Sequence, residues 1–526
     1  MEKTFKNVCI ASLVLFGIYC ALTIGISWDG PIHLQEGYNK LKYLFSLGSI
    51  NEDFPSSKYY PGLSFAITAF IVKFFPPKFE YEAYHLITFF FSLSIVYGIS
   101  KIGRELFNSK VSKIIFLLCF FYPIFFGHMA MNGKDTMMAL CNIWISYLVI
   151  RYFKNQSIAQ KRKNYVFKLG FLLALGTGIR LVFISTLVPF LIFSLFEILY
   201  FKKIVVKKFC LKKLLIDLLK IFIIFYLILI IFWSHTHENI LIMPIKIFID
   251  SFDMSFGAPI SLLNGEFYHT NTTPKSYIIL NFFYKTPEFL LFLFLLSFYF
   301  FIKHNPFFNK KFENFNYKLS LIFVIIILSN ILFISTPYPI YDGMRLFLYI
   351  IPFFILIPSL SVYFVLNNLH LKRFKILSVF LVLSIIVFAT RFIAITPYQY
   401  TYLNFFAGKP SNHSLKFEND YWGVSLKELI KKSNFLNEKI KLAYCGVPRA
   451  NVKYYLEKYK FSKVSLVHPS DDGDYNYIIM TNRAVWSDGL NDIKKAQSCF
   501  QKYSGKKFSS VERNGLLLST IREKNK

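Results

Sequence analysis

Three short polar clusters carry the residues able to do chemistry, and each sits at the edge of an apolar run. Asp342 and Arg345, in Tyr-Asp-Gly-Met-Arg, lie directly before a long apolar stretch. An arginine at a membrane edge is costly to desolvate and is retained where it pairs with an anion. Trp28-Asp29-Gly30 follows the first apolar run, and His128–Asp135 (HMAMNGKD) follows the third. Asp29 suits a general base that takes a proton from a hydroxyl; Asp-Gly-Pro is equally a helix-start signal. Asp135 opens an apolar run, where a helix dipole favours an acid; with His128, Asn132 and Lys134 in the same short turn it also suits a charged ligand. Arg180 ends the run LGTGIR, and Arg345 begins RLFLYIIP. Both reach headgroup level, where a planar fork grips phosphate in a bidentate way; the alternative is snorkelling to ordinary lipid.

The elements that must position these groups are membrane helices. The chain has 526 residues, 55% hydrophobic and 19% aromatic, with 63 Phe in uninterrupted runs, a composition that excludes a soluble globular protein. The net charge of +30 would suggest nucleic acid in a soluble chain. Here the basic residues occupy short loops between apolar runs, as the positive-inside rule requires, and nucleic acid is excluded as a partner. About 20 apolar residues cross the hydrocarbon. Eleven spans are predicted: 7–26, 83–102, 112–128, 136–153, 166–180, 181–201, 214–233, 287–303, 318–335, 346–367 and 375–396. The first has no small-residue cleavage site after it and reads as a retained span.

Loops 101–113, 151–168, 202–213, 303–318 and 368–375 are basic and are assigned to the cytoplasm; loops 27–82 and 234–286 are mixed in sign. This gives a cytoplasmic N-terminus and an external C-terminus, with every polar cluster on the outer side. In the first long loop, His33–Leu47 repeats Leu34, Tyr38, Leu41 and Leu44/Phe45 at helical spacing, either a surface helix or a plain connector. Tyr59-Tyr60-Pro61 can line a substrate groove or anchor the interface. His235, His237 and Glu238 have the look of metal ligands, but no third ligand is fixed by spacing.

From about Tyr398 apolar runs shorten to strand length. Strands are predicted at Ile440–Ala443, Lys463–Val467 and Tyr475–Met480, a helix at Arg449–Lys458, and a closing hairpin of Phe508–Arg513 and Leu516–Arg522 turned by Asn514-Gly515. The chain therefore divides into a transmembrane part, 1–397, and a small external α/β domain, 398–526. Cys445-Gly446 is no GxGxxG fingerprint, so no nucleotide site is predicted. Cys445 and Cys499 can pair, though nothing in the sequence requires it.

Together, the acid after span one, the long first loop, Asn-x-Lys-Asp before span four and Asp-Gly-x-Arg opening a late span resemble the polyprenyl-phosphate-dependent glycosyltransferases of the GT-C superfamily. The branch is that of bacterial relatives of protein O-mannosyltransferases and of the lipid A aminoarabinose transferase. NGEFYHTNTTPKSYIILNFFYKTP (264–287), the stretch from Pro397 to Glu428 containing FENDYWGVSLKE, and the tail VERNGLLLSTI are similar to the same branch, so the likeness covers nearly the whole chain. The resemblance implies a GT-C type polytopic helical fold in a bacterial plasma (inner) membrane and a lipid-linked sugar donor. It also implies inverting transfer on the outer face to a hydroxyl of a glycan, lipid or protein. It implies Asp29 as the catalytic base and Asp135 as the second acidic residue of the catalytic site, with donor-phosphate contacts from basic residues such as Arg180 and Arg345; Lys134 is a further candidate for the phosphate, and His33, Tyr60, His128, Asn132 and Asp342 are candidates for binding substrate. Where the aminoarabinose transferase has a Glu-Lys pair before the Pro of the first loop, this chain has Tyr59-Tyr60. No cofactor is fixed, and a divalent metal stays open. The rival reading is a transporter or flippase of lipid-linked envelope glycans; a transporter needs a midplane site and usually an internal repeat, whereas these clusters lie at the edge.

Overall fold

The computed structural model describes residues 2–50, 58–251, 259–335, 339–433, 435, 439–469, 474–486 and 492–525. Parts of the two long loops (51–57 and 252–258) and the Thr-Pro-Tyr before the Asp342 turn (336–338) lie outside the described residues. The first eight helices are α1 (Glu2–Thr23), α2 (Gly30–Phe45), α3 (Leu63–Val72), α4 (Glu80–Leu106), α5 (Ser109–Phe120), α6 (Pro123–Met131), α7 (Asp135–Asn155) and α8 (Ala159–Thr177).

Among the described residues, six helices are long and apolar enough to cross a membrane, or up to eight if each of two bent pairs is one span. The chain is a multi-pass membrane protein. Eight of the eleven expected spans correspond to these helices, counting each bent pair once. Six predicted spans stand as single helices. Span 112–128 is instead α5 and α6, bent by 69°. Pro123 lacks an amide hydrogen and opens a new helix, so His128 belongs to α6 and the polar turn begins only at Asn132. Span 287–303 is the second half of a pair bent by 112° after Ser276–Lys285, again with a proline, Pro287, at the break. The segments 7–26, 166–180 and 346–367 form helices too short or too charged to meet the same test; the last starts at Ile351, after a 3-10 turn at Arg345–Phe347.

α4 and α7 lie side by side and parallel. At one end Arg151 and Lys154 of α7 bind Glu105 of α4, at 2.7 and 3.1 Å. At the other, Tyr84 of α4 packs on Gly133, just before Asp135. A 21-residue helix is about 30 Å long, so the basic end and the Asp135 end sit a membrane thickness apart. Residues 30–45 are helical, as the Leu34/Leu41 spacing predicts, and bury Leu34 and Leu41 against α3 and α4.

Beyond Tyr398 lies a five-stranded sheet in the order Val464–Leu466, Ile440–Cys445, Tyr477–Thr481, Leu516–Glu523, Lys507–Arg513. The first three strands are parallel and the last two close as an antiparallel hairpin. Asn514 and Gly515 both have positive φ (49° and 77°), as a tight hairpin turn requires. Cys445 and Cys499 form a disulfide. The Arg449–Lys458 helix docks on the α1–α2 connection. The Tyr455 hydroxyl accepts from the Ile26 amide at 2.7 Å, and the Asn451 side chain donates to the Ser27 carbonyl at 3.2 Å. Val424 accepts from the Gly25 amide at 3.1 Å. These bonds fix the backbone just before Asp29.

Candidate functional site

The three polar clusters converge. Asp29 occupies the N-cap position of α2, yet its side chain makes no capping hydrogen bond. Its carboxylate instead accepts from Arg345 Nη1 at 3.2 Å. Arg345 is buried, its guanidinium between the rings of Tyr341 and Trp422 at 4.8 and 5.0 Å. Aromatic faces stabilise a cation that has left bulk water.

Asp342 holds Arg345 from the other side. Its Oδ2 lies 3.3 Å from Arg345 Nε and accepts from Trp422 Nε1 at 3.2 Å. Its Oδ1 lies 3.3 Å from Arg483 Nη1. The contacts at Arg345 Nε and at Oδ1 are charge contacts without hydrogen-bond geometry. Asp342 and Gly343 both have positive φ, 56° and 64°. An Asp tolerates that region better than most residues, and a Gly adopts it freely. The Gly343 amide donates to the Tyr277 hydroxyl at 2.7 Å, and the Lys285 ammonium lies where a Cβ on Gly343 would stand. The turn that aims Arg345 thus needs a glycine for two reasons, backbone and space.

The second carboxylate is Asp135. Its amide donates to the Asn132 side chain, and Asn132 Nδ2 returns a bond to Asp135 Oδ2, both at 3.0 Å. Arg180 Nη2 stands 3.6 Å from Oδ1. Lys134 lies over the Tyr60 ring at 3.7 Å. His33 stacks on Phe65 at 4.7 Å. Every site residue read from the sequence is therefore in one region, but with different positions. Asp29, Lys134, Asp135, Arg180 and Arg345 form the charged centre, and Asp342, Asn132, Tyr60 and His33 pack around it. His128 is fully buried behind it, bonded to the Tyr421 hydroxyl at 2.8 Å and to Asn132 at 3.3 Å.

The electrostatics suit a base beside an anion site. Burial would raise the Asp29 pKa, but Arg345, with His33 and Lys134, outweighs it and holds the carboxyl at about 2. Its side chain keeps 29% of its surface, so pairing rather than desolvation decides its state. Burial pushes His33 down to about 3 and leaves it neutral at ordinary pH. Burial, with Arg180 adding to it, lowers Lys134 to about 8 against the pull of Asp29 and Asp135.

Sequence reading missed four members: Lys285, Glu418, Trp422 and Arg483. All are buried or nearly so. Glu418 and Trp422 lie in FENDYWG, a stretch singled out above without roles for its residues. Burial raises Glu418 to about 7, partly offset by Arg483. Among the described residues, no group of three His, Cys, Asp or Glu can hold a metal. His237 is engaged by the Tyr43 hydroxyl at 2.7 Å and the Ile230 carbonyl at 2.9 Å. The two central carboxylates already face arginines, so these residues do not fit a metal centre. A cavity of about 610 Å³ runs along one face of α7, from Met137 beside the site past Leu140, Trp144 and Tyr147 to Arg151 at the basic end.

No protein-family model matches the chain, and no curated protein matches it. Among solved structures, ArnT from Cupriavidus metallidurans in the apo state aligns over 99% of this chain and 98% of its own, with TM-score 0.51 and 11% identity. The same protein bound to undecaprenyl phosphate aligns over the same shares at TM-score 0.48 and 10% identity. The oligosaccharyltransferase AglB from Archaeoglobus fulgidus, in complex with an inhibitory peptide and a dolichol-phosphate, covers 91% of this chain and 70% of its own at TM-score 0.48 and 12% identity. The chain shares the fold of ArnT from end to end, in line with the sequence resemblance.

Proposed function

We propose that this protein is an inverting membrane glycosyltransferase that moves a sugar from a polyprenyl-phosphate donor to an acceptor hydroxyl. The observation that carries the proposal is the Asp29–Arg345 pair at the start of α2, with Asp135, Arg180 and Lys134 beside it: a carboxylate base within reach of a cluster of cations at the membrane edge. The shared fold with ArnT supports it. The ArnT and AglB structures that hold undecaprenyl phosphate and dolichol-phosphate suggest the class of lipid carrier.

The chemistry balances without a cofactor. The acceptor hydroxyl loses its proton to Asp29 as its oxygen forms a bond to the anomeric carbon. The bond from that carbon to the donor phosphate oxygen breaks on the opposite face, inverting the centre and releasing polyprenyl phosphate. Negative charge grows on the leaving phosphate, so Arg345, Arg180 and Lys134 act most strongly in the transition state. The isoprenoid tail remains in the membrane, and the groove along α7 suits it by its apolar lining. Asp135 orients Arg180 and, through Asn132, the polar turn.

Residues 1–397 form the membrane-embedded catalytic part in this reading, and 398–526 a unit on the same side as the site. The separation of the site from the Glu105–Arg151–Lys154 cluster along α4 and α7 supports a cytoplasmic N-terminus and an external site in a bacterial plasma membrane. The acceptor is a glycan, lipid or protein hydroxyl. The test is transfer in nanodiscs from a panel of polyprenyl-phosphate sugars, followed by release of polyprenyl phosphate. Turnover that vanishes in Asp29→Asn is expected. Donor translocation without cleavage of the sugar–phosphate bond would overturn the proposal in favour of a transporter.

A further inference from the structure

The carboxylate Asp342 has two arginine neighbours, and only one was legible as part of the site. The other, Arg483, comes from the loop after strand Tyr477–Thr481, far along the chain. Its side chain is 11% exposed, and its guanidinium lies 3.3 Å from Asp342 Oδ1, stacks on the Trp28 ring at 4.7 Å, and donates to the Tyr421 carbonyl. It therefore touches the residue before Asp29 and the carboxylate that holds Arg345, without touching either catalytic group. Its own backbone is fixed: the Arg483 carbonyl accepts from the Cys499 amide at 2.9 Å, and Cys499 is disulfide-bonded to Cys445. The peptide next to it is fixed too, since the Ala484 amide donates to Glu418 at 3.0 Å.

We infer that Arg483 is a positioning residue through which the C-terminal sheet sets the spacing of Asp29 and Arg345. The inference rests on the transferase reading above and adds to it a role for the C-terminal unit. The physical argument concerns how Asp342 divides its charge. With Arg483 on Oδ1, Asp342 shares its attraction between two cations, and Arg345 stays extended toward Asp29. Without Arg483, Arg345 is the one arginine left facing this buried carboxylate, which draws it inward. A buried charge that loses a partner seeks the nearest remaining one, because desolvation is expensive. Trp28 loses its stacking partner in the same step, loosening the peptide that carries Asp29. Both shifts separate base from cation, and misplacement on the order of 1 Å costs roughly 10²-fold in rate.

The test compares Arg483→Gln and Arg483→Lys with wild type in the nanodisc transfer assay, together with thermal melting. Arg483→Gln is expected to fold but to melt below wild type, because Asp342 loses a buried partner, and to lose roughly 10²-fold in kcat/KM. Arg483→Lys keeps the charge near Asp342 but lacks a planar fork that can also lie on Trp28, so it should recover part of that loss. A second readout is specific to the pairing. Asp29 is faced by Arg345, His33 and Lys134; as Arg345 withdraws, the acid limb of kcat/KM should move to higher pH in Arg483→Gln, and less in Arg483→Lys. A folded Arg483→Gln with wild-type rate and an unmoved acid limb overturns the inference, as does equal loss in both variants. If Arg483→Gln does not fold, wild-type rate and acid limb in Arg483→Lys overturn it. Absence of transfer in the wild-type protein itself is a different result, and it overturns the transferase reading.

Discussion

Replacing Asp29 by Asn separates a catalytic base from a helix cap, the two roles its sequence context allows. The structure weakens the second, because Asp29 makes no capping hydrogen bond to α2. Asn keeps the size of the side chain and loses only its charge and basicity. General-base removal costs on the order of 10²–10⁴-fold, which is about 3–5.5 kcal/mol of barrier at roughly 1.4 kcal/mol per decade. Stability should change far less. The lost ion pair is partly open to solvent at Asp29, a setting worth about 0.2–1 kcal/mol, and Arg345 keeps Asp342, Tyr341 and Trp422 as neighbours. Donor binding should not weaken, since Arg345 loses a competitor for phosphate. The expected pattern is thus a fall in kcat with an unchanged or lower donor KM. The assay is initial transfer rate against polyprenyl-phosphate-sugar concentration for purified protein in nanodiscs. A kcat within a few-fold of wild type would refute the base assignment; a normal kcat with a raised KM would move Asp29 to donor binding.

Arg345→Lys keeps charge but lacks the planar fork that can reach Asp29, Asp342 and a phosphate together, so weaker use of donor is expected with the fold intact; Arg180→Ala should lose more, because it also strips Asp135 of its arginine, and wild-type donor curves for both would move the donor site elsewhere. Lys134, held at about 8 by burial, is charged below that pH and neutral above it, so kcat/KM for donor should fall as pH rises through about 8. Lys134→Arg should flatten that fall, and an identical alkaline limb in the variant would assign it to another group. A reporter active only outside the cytoplasm, fused after Lys526, should be active; activity of a cytoplasm-only reporter there would put the site on the wrong face.

Much of the site was legible because its central residues interrupt apolar sequence. Asp29, Asp135, Arg180 and Arg345 each stand where a hydrophobic run begins or ends, and a charge there is costly enough to mean something. Lys285 was not legible, since it ends a helix whose other residues read as apolar (IILNFFY) and nothing local distinguishes it from a loop lysine. Arg483 and Trp422 were not legible for a different reason: they meet Asp342 only through packing of the C-terminal sheet on the membrane helices. Hydropathy also hid the bend at Pro123, because a window average registers apolarity and not the missing amide hydrogen that ends a helix; at Pro287 the predicted span already begins at the break, and only the helix before it, Ser276–Lys285, went unread. The strands at Ile440 and Tyr477 and the Asn514-Gly515 hairpin were readable because alternation and turn chemistry are local properties.

The Asp29–Arg345 pair bears on how the proposed reaction starts. A carboxylate held near 2 by Arg345 is fully ionised but a feeble base. Its basicity depends on what else Arg345 is doing. A donor phosphate entering between Arg345, Arg180 and Lys134 competes for the same guanidinium, and the carboxylate that loses part of its cation becomes a stronger proton acceptor. Asp342 remains behind Arg345 throughout, so the arginine can turn toward phosphate without leaving its place between Tyr341 and Trp422. The base would then reach working strength only when the sugar it serves is bound. An interaction strengthened on the way to the transition state raises kcat, whereas one present equally in the ground state does not. In the proposed reaction the Asp29–Arg345 pair would then be a resting arrangement that a donor phosphate relieves, rather than a structural ion pair.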